Sequence, residues 1–194
     1  MAVRWLRRFL VLCAAAILTG CVTESEPSET TAQPAARWEV DGVETWDLTG
    51  EPSEAALGIE EDSRAGIHES DEPREVVLLL PDDTRVEVTT KVLSFERART
   101  ADGDDRFRIG LRGPTVPAEE LVEKLRAVTE QLGVASADLD TFAQELDAAP
   151  ADQTERIRYA SPTAELGALT ISVSANLAPI AEGGRLVIGG AWMR

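Results

Sequence analysis

The chain has 194 residues, 43% of them hydrophobic and 28% charged, a balance that suits a globular protein and excludes a wholly disordered one. Its 35 acidic residues outweigh 19 basic ones, for a formal net charge of −16, which repels phosphates and argues against nucleic acid as a partner. With two cysteines and one histidine, neither a metal site nor another cofactor is expected.

Arg4, Arg7 and Arg8 precede an apolar run over residues 9–18. A membrane span needs about 20 apolar residues, so this run is too short and reads as the core of a signal peptide. It ends in Leu18-Thr19-Gly20-Cys21. These four residues resemble the lipobox of the bacterial lipoprotein class, which runs Leu, a small residue, Gly or Ala, then Cys. The resemblance implies that residues 1–20 are a signal peptide cut before Cys21. It further implies that Cys21 carries acyl chains and holds the mature protein to a cell membrane on the extracytoplasmic side. Each buried CH₂ contributes about 0.8 kcal/mol, so two or more chains on one residue anchor far better than one. Arg7-Arg8 before Phe9-Leu10 departs by one residue from a twin-arginine export signal. With Cys13 lost and Cys21 acylated, no thiol is left for a disulfide, and the secreted part must rest on its core.

Residues 21–36 hold the acylated cysteine and a tether rich in Ser, Thr, Glu and Pro. Residues 37–74 form an acidic, loop-rich segment, with one or two short strands over residues 38–48 and a long mobile loop over 50–74. Residues 22–75 carry 16 acids against 3 bases, so most of the surplus charge lies before the expected domain.

That domain is expected over residues 75–194. Residues 76–80 are a continuous apolar run, suited to a strand covered on both faces. Pro81-Asp82-Asp83-Thr84 is turn chemistry, and Val86, Val88, Thr90 and Val92 then alternate with polar residues. Asp102-Gly103 signals a two-residue hairpin into a strand with Phe107, Ile109 and Leu111 on one face. Pro117 suits the first position of a helix with an apolar stripe of Leu121, Leu125, Val128 and Leu132, ended by Gly133. Ser136 caps a second helix that buries Leu139, Phe142 and Leu146 before Pro150 stops it. Three strands follow: around Ile157 and Tyr159, over residues 169–177, and around Leu186, Ile188 and Trp192. The expected fold is α+β: an antiparallel sheet of about six strands with a helical hairpin on one face, in the order βββ-αα-βββ.

Few residues point to chemistry. His68 reads as a solvated loop histidine, and no G-x-S-x-G elbow accompanies it. Asp102, Asp104 and Asp105 lack calcium-loop spacing and read as a turn. Gly183-Gly184 reads as hairpin turn chemistry, and Gly189-Gly190 as a bulge or close backbone approach within the last strand. Trp38, Trp46 and Trp192 read as packing residues rather than a sugar platform. The row Thr170, Ser172, Ser174 and Asn176 is small, polar and uncharged, and suits either a covered face or a groove for a polymer.

The hairpin arginines are the candidate site. A two-residue loop at Asp102-Gly103 would set Arg99 opposite Arg106 and Arg97 opposite Arg108, all on one face. Like charges placed so destabilise a sheet, which calls for an anion. The acids of residues 60–62 or 69–72 are the expected internal partner, and an external phosphate or wall polymer the competing one. That register has a cost: it brings Glu96 onto the apolar face beside Ile109.

The expected function is that of a non-catalytic binding or accessory lipoprotein of the bacterial cell envelope. Its partners are the membrane, through Cys21, and an envelope protein or polymer. The alternatives are an envelope hydrolase, with catalytic carboxylates that no motif singles out, and a carrier of lipid or another hydrophobic ligand. Mass spectrometry of the mature N-terminus should find acylated Cys21, and Cys21→Ser should accumulate unprocessed precursor. An unmodified Cys21 in a chain that keeps its leader would overturn the lipoprotein reading.

Overall fold

The computed structural model describes residues 36–99, 105–135, 137–150, 156–177 and 182–192. Five strands precede the two helices: β1 (Arg37–Val40), β2 (Val43–Asp47), β3 (Ala65–Leu79), β4 (Arg85–Arg99) and β5 (Asp105–Arg112). The helices are α1 (Ala118–Gln131) and α2 (Ala137–Ala148). Four strands follow: β6 (Ile157–Ala160), β7 (Ala164–Leu166), β8 (Leu169–Leu177) and β9 (Gly184–Trp192). The nine strands among the described residues form one sheet, in the order β1-β2-β3-β4-β5-β9-β8-β6, with β7 paired to β8 off this path. The class is α+β, as expected. The sheet is larger than six strands, and β2 runs parallel to β3, so it is mixed rather than purely antiparallel.

The added strands come mostly from the acidic segment. The expected boundary at residue 75 falls inside β3, and residues 65–74 are strand rather than loop. Acids mask this strand because Glu69, Asp71 and Glu72 all face water. Its register against β4 jumps between Glu69 and Arg74, where four residues bulge out opposite Lys91, and the Lys91 Nζ donates to the Asp71 carbonyl (2.8 Å). Residues 53–59 form a turn that sends Leu57 and Ile59 into the core. The expected leader, Cys21 and the tether up to residue 35 lie outside the described residues; Ala36, expected as its last residue, is buried instead, and its carbonyl accepts the Asp47 amide (2.8 Å).

One buried carboxylate ties the first three strands together. Glu44 on β2 is 4% exposed. Its Oε1 accepts the Trp46 indole N–H (2.6 Å) and pairs with Arg37 of β1 (3.1 Å), and its Oε2 accepts Arg74 Nε from β3 (2.8 Å). Arg74 Nη2 donates in turn to the His68 carbonyl, bridging the bulge (3.0 Å). His68 is therefore not a solvated loop residue. It lies on β3, packs edge-on against Trp46, and its Nε2 donates to the Leu57 carbonyl (3.0 Å), which holds the 53–59 turn in place.

The helices follow the expected stripes. Leu121, Leu125, Val128 and Leu132 of the first, and Leu139, Phe142 and Leu146 of the second, are buried in the common core. Gly133 takes a left-handed conformation just past α1 (φ 65°), as expected. Pro117 is the N-cap, one position earlier than expected. The expected cap Ser136 lies outside the described residues. Helix α1 packs on β4, β8 and β9, and α2 on β6. On β8, Leu169, Ile171, Val173, Ala175 and Leu177 face the helices, while Thr170, Ser172, Ser174 and Asn176 face away. Trp46 and Trp192 are buried, and Trp38 is partly exposed on the edge strand.

Glu44 generates a stability prediction. Removing one member of a buried ion pair costs about 3–5 kcal/mol, and the partial exposure of Arg74 and Arg37 reduces this here to about 2–3 kcal/mol for Glu44→Gln. Urea denaturation measures it. A change under about 0.5 kcal/mol would show that the network does not hold β1 and β2 to β3.

Candidate functional site

The helices cover one face of the sheet, and the opposite face of its centre is open. Backbone pairing aligns that open face in rows across the strands. Ser94, Gly110, Gly189 and Ser172 form one row over β4, β5, β9 and β8. None of the four carries a side chain larger than a hydroxymethyl group, and the row makes a trench. Ile67 of β3 stands at its end, paired with Ser94 and 65% exposed. The next row, Glu96, Arg108, Ala191 and Thr170, makes one wall. The trench has a volume of about 380 Å³.

The two glycines of β9 have different causes. A Cβ on Gly190 would meet the Thr170 carbonyl at 2.8 Å and Ile109 Cγ2 at 3.0 Å, so the core demands glycine there. This is the close approach expected from the sequence. A Cβ on Gly189 would meet nothing within 4 Å. Packing does not demand glycine at 189, and its absent side chain deepens the trench.

Beyond the trench the open face turns basic. Arg158, Asn176 and Arg185 form a row over β6, β8 and β9. Arg112 pairs with Val187, one row nearer the trench. Arg112, Arg156 and Arg185 line a groove of about 400 Å³ with Thr115, Asn176 and Glu182. Arg185 Nη2 donates to the Thr115 hydroxyl (2.9 Å). Arg108, Arg112, Arg156, Arg158 and Arg185 are all exposed, and none has a carboxylate partner among the described residues.

The expected arginine face is corrected by the β4–β5 register. Phe95 pairs with Ile109, Glu96 with Arg108, Arg97 with Phe107, Ala98 with Arg106 and Arg99 with Asp105. The strands are one residue out of the expected register, and residues 100–104, which hold Asp102-Gly103, lie outside the described residues. The physical reason is the defect that the expected register carried. A one-residue slip moves Glu96 off the apolar face and sets Phe95 against Ile109 in the core. Arg97 and Arg108 therefore belong to opposite faces. Arg97 forms an ion pair with Glu54, from the turn that carries Leu57, and its backbone N–H donates to the Arg64 carbonyl (2.8 Å). An internal acid thus holds Arg97, but it comes from neither residues 60–62 nor 69–72. Arg108 joins the open face instead. The side chains of Arg99 and Arg106 lie outside the described set.

Two other clefts bear on the alternative functions. One, of about 320 Å³, lies beside α1 and is lined by Val76, Val77, Val88, Val128 and Leu186, with Glu75, Arg85, Glu87 and Lys124 among its polar residues. That volume is at the small end for any ligand pocket, well short of a chamber for a lipid. The other, between α2 and β6, holds Asp138 and Glu145 beside Tyr159. Burial, with Asp138 adding to it, pushes the Tyr159 phenol above its usual range. The two acids are seven residues, about two turns, apart on one face of the helix.

No family model matches the chain, and neither a curated protein nor a solved structure matches it.

The glycine contrast is testable by mutation. Gly189→Ala should leave thermal stability unchanged or slightly raised. Gly190→Ala should lower it by roughly 1–3 kcal/mol through overpacking. Equal losses at both positions would show that the trench is a packing consequence.

Proposed function

We propose that this chain is a lipid-anchored, non-catalytic binding protein of the bacterial cell envelope, and that its open sheet face takes up an anionic envelope component. One observation carries the reading. Arg112, Arg156 and Arg185 line one groove, with Arg108 and Arg158 nearby on the same sheet, and none of the five has a carboxylate partner among the described residues, in a chain whose net charge is −16. A protein with 35 acids has ample means to neutralise them internally, as it neutralises Arg37, Arg74 and Arg97. Guanidinium groups left free in a groove match carboxylate or phosphate oxygens, and such charge-assisted hydrogen bonds are the stronger kind. Anchoring through Cys21 follows from the lipobox resemblance.

Sedimentation of the full chain, in mild detergent, with protein-free cell envelopes tests the proposal. Replacing Arg112, Arg156 and Arg185 together with Gln should weaken binding at least about tenfold, ~1.4 kcal/mol. Lys124→Gln, on α1 beside the apolar cleft, should leave it unchanged. Equal binding by the triple variant would reject the arginine groove as the site.

A further inference from the structure

Arg112, Arg156 and Arg185 line one groove while Arg108 and Arg158 lie outside it, and this spread bears on the kind of anion they take. Resting on the reading above, we infer that the open face selects a linear polymer with one negative charge per repeat, such as a polyol phosphodiester, over a small anion or a lipid headgroup. The register fixes the backbone spacing. Arg158 and Arg185 sit two strands apart, about 10 Å. Arg185 and Arg112 are diagonal neighbours on adjacent strands, about 7–8 Å apart. Arg112 and Arg108 are four residues apart on β5, about 13 Å.

No two of these four stand directly opposite each other, so the sheet does not clamp one phosphate between a cross-strand pair. A single small anion in the groove reaches at most Arg112, Arg156 and Arg185 and leaves Arg108 and Arg158 unmatched. A chain of anions spaced several ångström apart engages them in series. Each further contact is then intramolecular, so affinity climbs with length and no single contact need be strong. The ground between Arg112 and Arg108 is Gly110, with Gly189 beside it, so no side chain at these two positions blocks a polymer passing from one arginine to the other. Glu96, opposite Arg108, limits how much charge density is tolerated there and favours widely spaced anions over dense ones.

A bilayer fits less well. A membrane presents headgroups on a surface, and the rest of this acidic chain is repelled by an anionic surface at the same time. A thin polymer touches the arginine groove alone.

The experiment measures the full chain in neutral detergent against glycerol-phosphate oligomers of two, four and eight repeats, inorganic phosphate, and vesicles of phosphatidylglycerol and phosphatidylcholine. Affinity should rise at least tenfold from two repeats to eight, with inorganic phosphate weaker than either. Arg158→Gln and Arg108→Gln should each flatten the length dependence, lowering the eight-repeat affinity by a larger factor than the two-repeat affinity. Gly189→Trp, at a position with open space, should weaken the eight-repeat oligomer selectively. Circular dichroism establishes that each variant is folded. Equal affinity for two and eight repeats, or for inorganic phosphate, would overturn the polymer inference and leave the anion-binding reading standing. Vesicle binding without oligomer binding would overturn it in favour of a membrane surface. No binding to any of these probes, combined with unchanged envelope sedimentation by the arginine variants, would remove both.

Discussion

Strands β5 and β9 are separated in the chain by both helices and three other strands, and their antiparallel pairing joins the two halves of the sheet. On the helix side the join is apolar and tight. Leu111 pairs with Ile188, and Ile109 and Ile171 close over the space that a side chain on Gly190 would occupy. On the other side the same pairing sets Gly110 beside Gly189 and brings Arg112 within a diagonal of Arg185. The trench and the basic groove are thus the outer surface of the seam whose inner surface is core. A slip of one residue in this seam would turn the arginines inward and expose Ile188 and Ile109 to water, so apolar burial fixes the position of the charges.

How much of this is legible in the sequence depends on how local the signal is. Strands with clean alternation, such as β8 and β5, and helices with a continuous stripe declare themselves within a dozen residues. The one or two short strands expected over residues 38–48 are β1 and β2, whereas β3 begins among acids and offers no apolar periodicity to read there. Burial of Glu44 reverses the usual rule that acids face water, and nothing near it in the sequence identifies Arg37 and Arg74 as its partners. The polar row of β8 is visible from sequence alone, as is its suitability for a groove. Its neighbours are not, because β9, β5 and β6 reach it only through the sheet order. Arg112, Arg156, Arg158 and Arg185 lie between 2 and 73 positions apart in the chain, and no motif links them.

The hairpin between β4 and β5 shows how two sequence signals compete. Asp-Gly turn chemistry favours one register, and the apolar face of Phe95 and Ile109 favours the next. Burying a phenylalanine against an isoleucine contributes several kcal/mol, whereas a preferred turn contributes about one. The core prevails, and with it Arg97 goes to Glu54 while Arg108 goes to the open face.

The sheet order also sets a load path. Residue 36 opens the described fold at β1, and five strand steps, about 24 Å, separate β1 from β9 with its Arg185. If the proposed lipid anchor and polymer were both engaged, a pull between them would cross the sheet perpendicular to its strands. The contacts nearest the anchored end would feel it first: the Ala36 carbonyl on the Asp47 amide and the Arg37–Glu44 ion pair. Strand β1, four residues long and without a strand on its outer edge among the described residues, would then be the mechanical fuse of the molecule. It would peel before the β5–β9 seam opened, lengthening the leash while the binding face stayed whole.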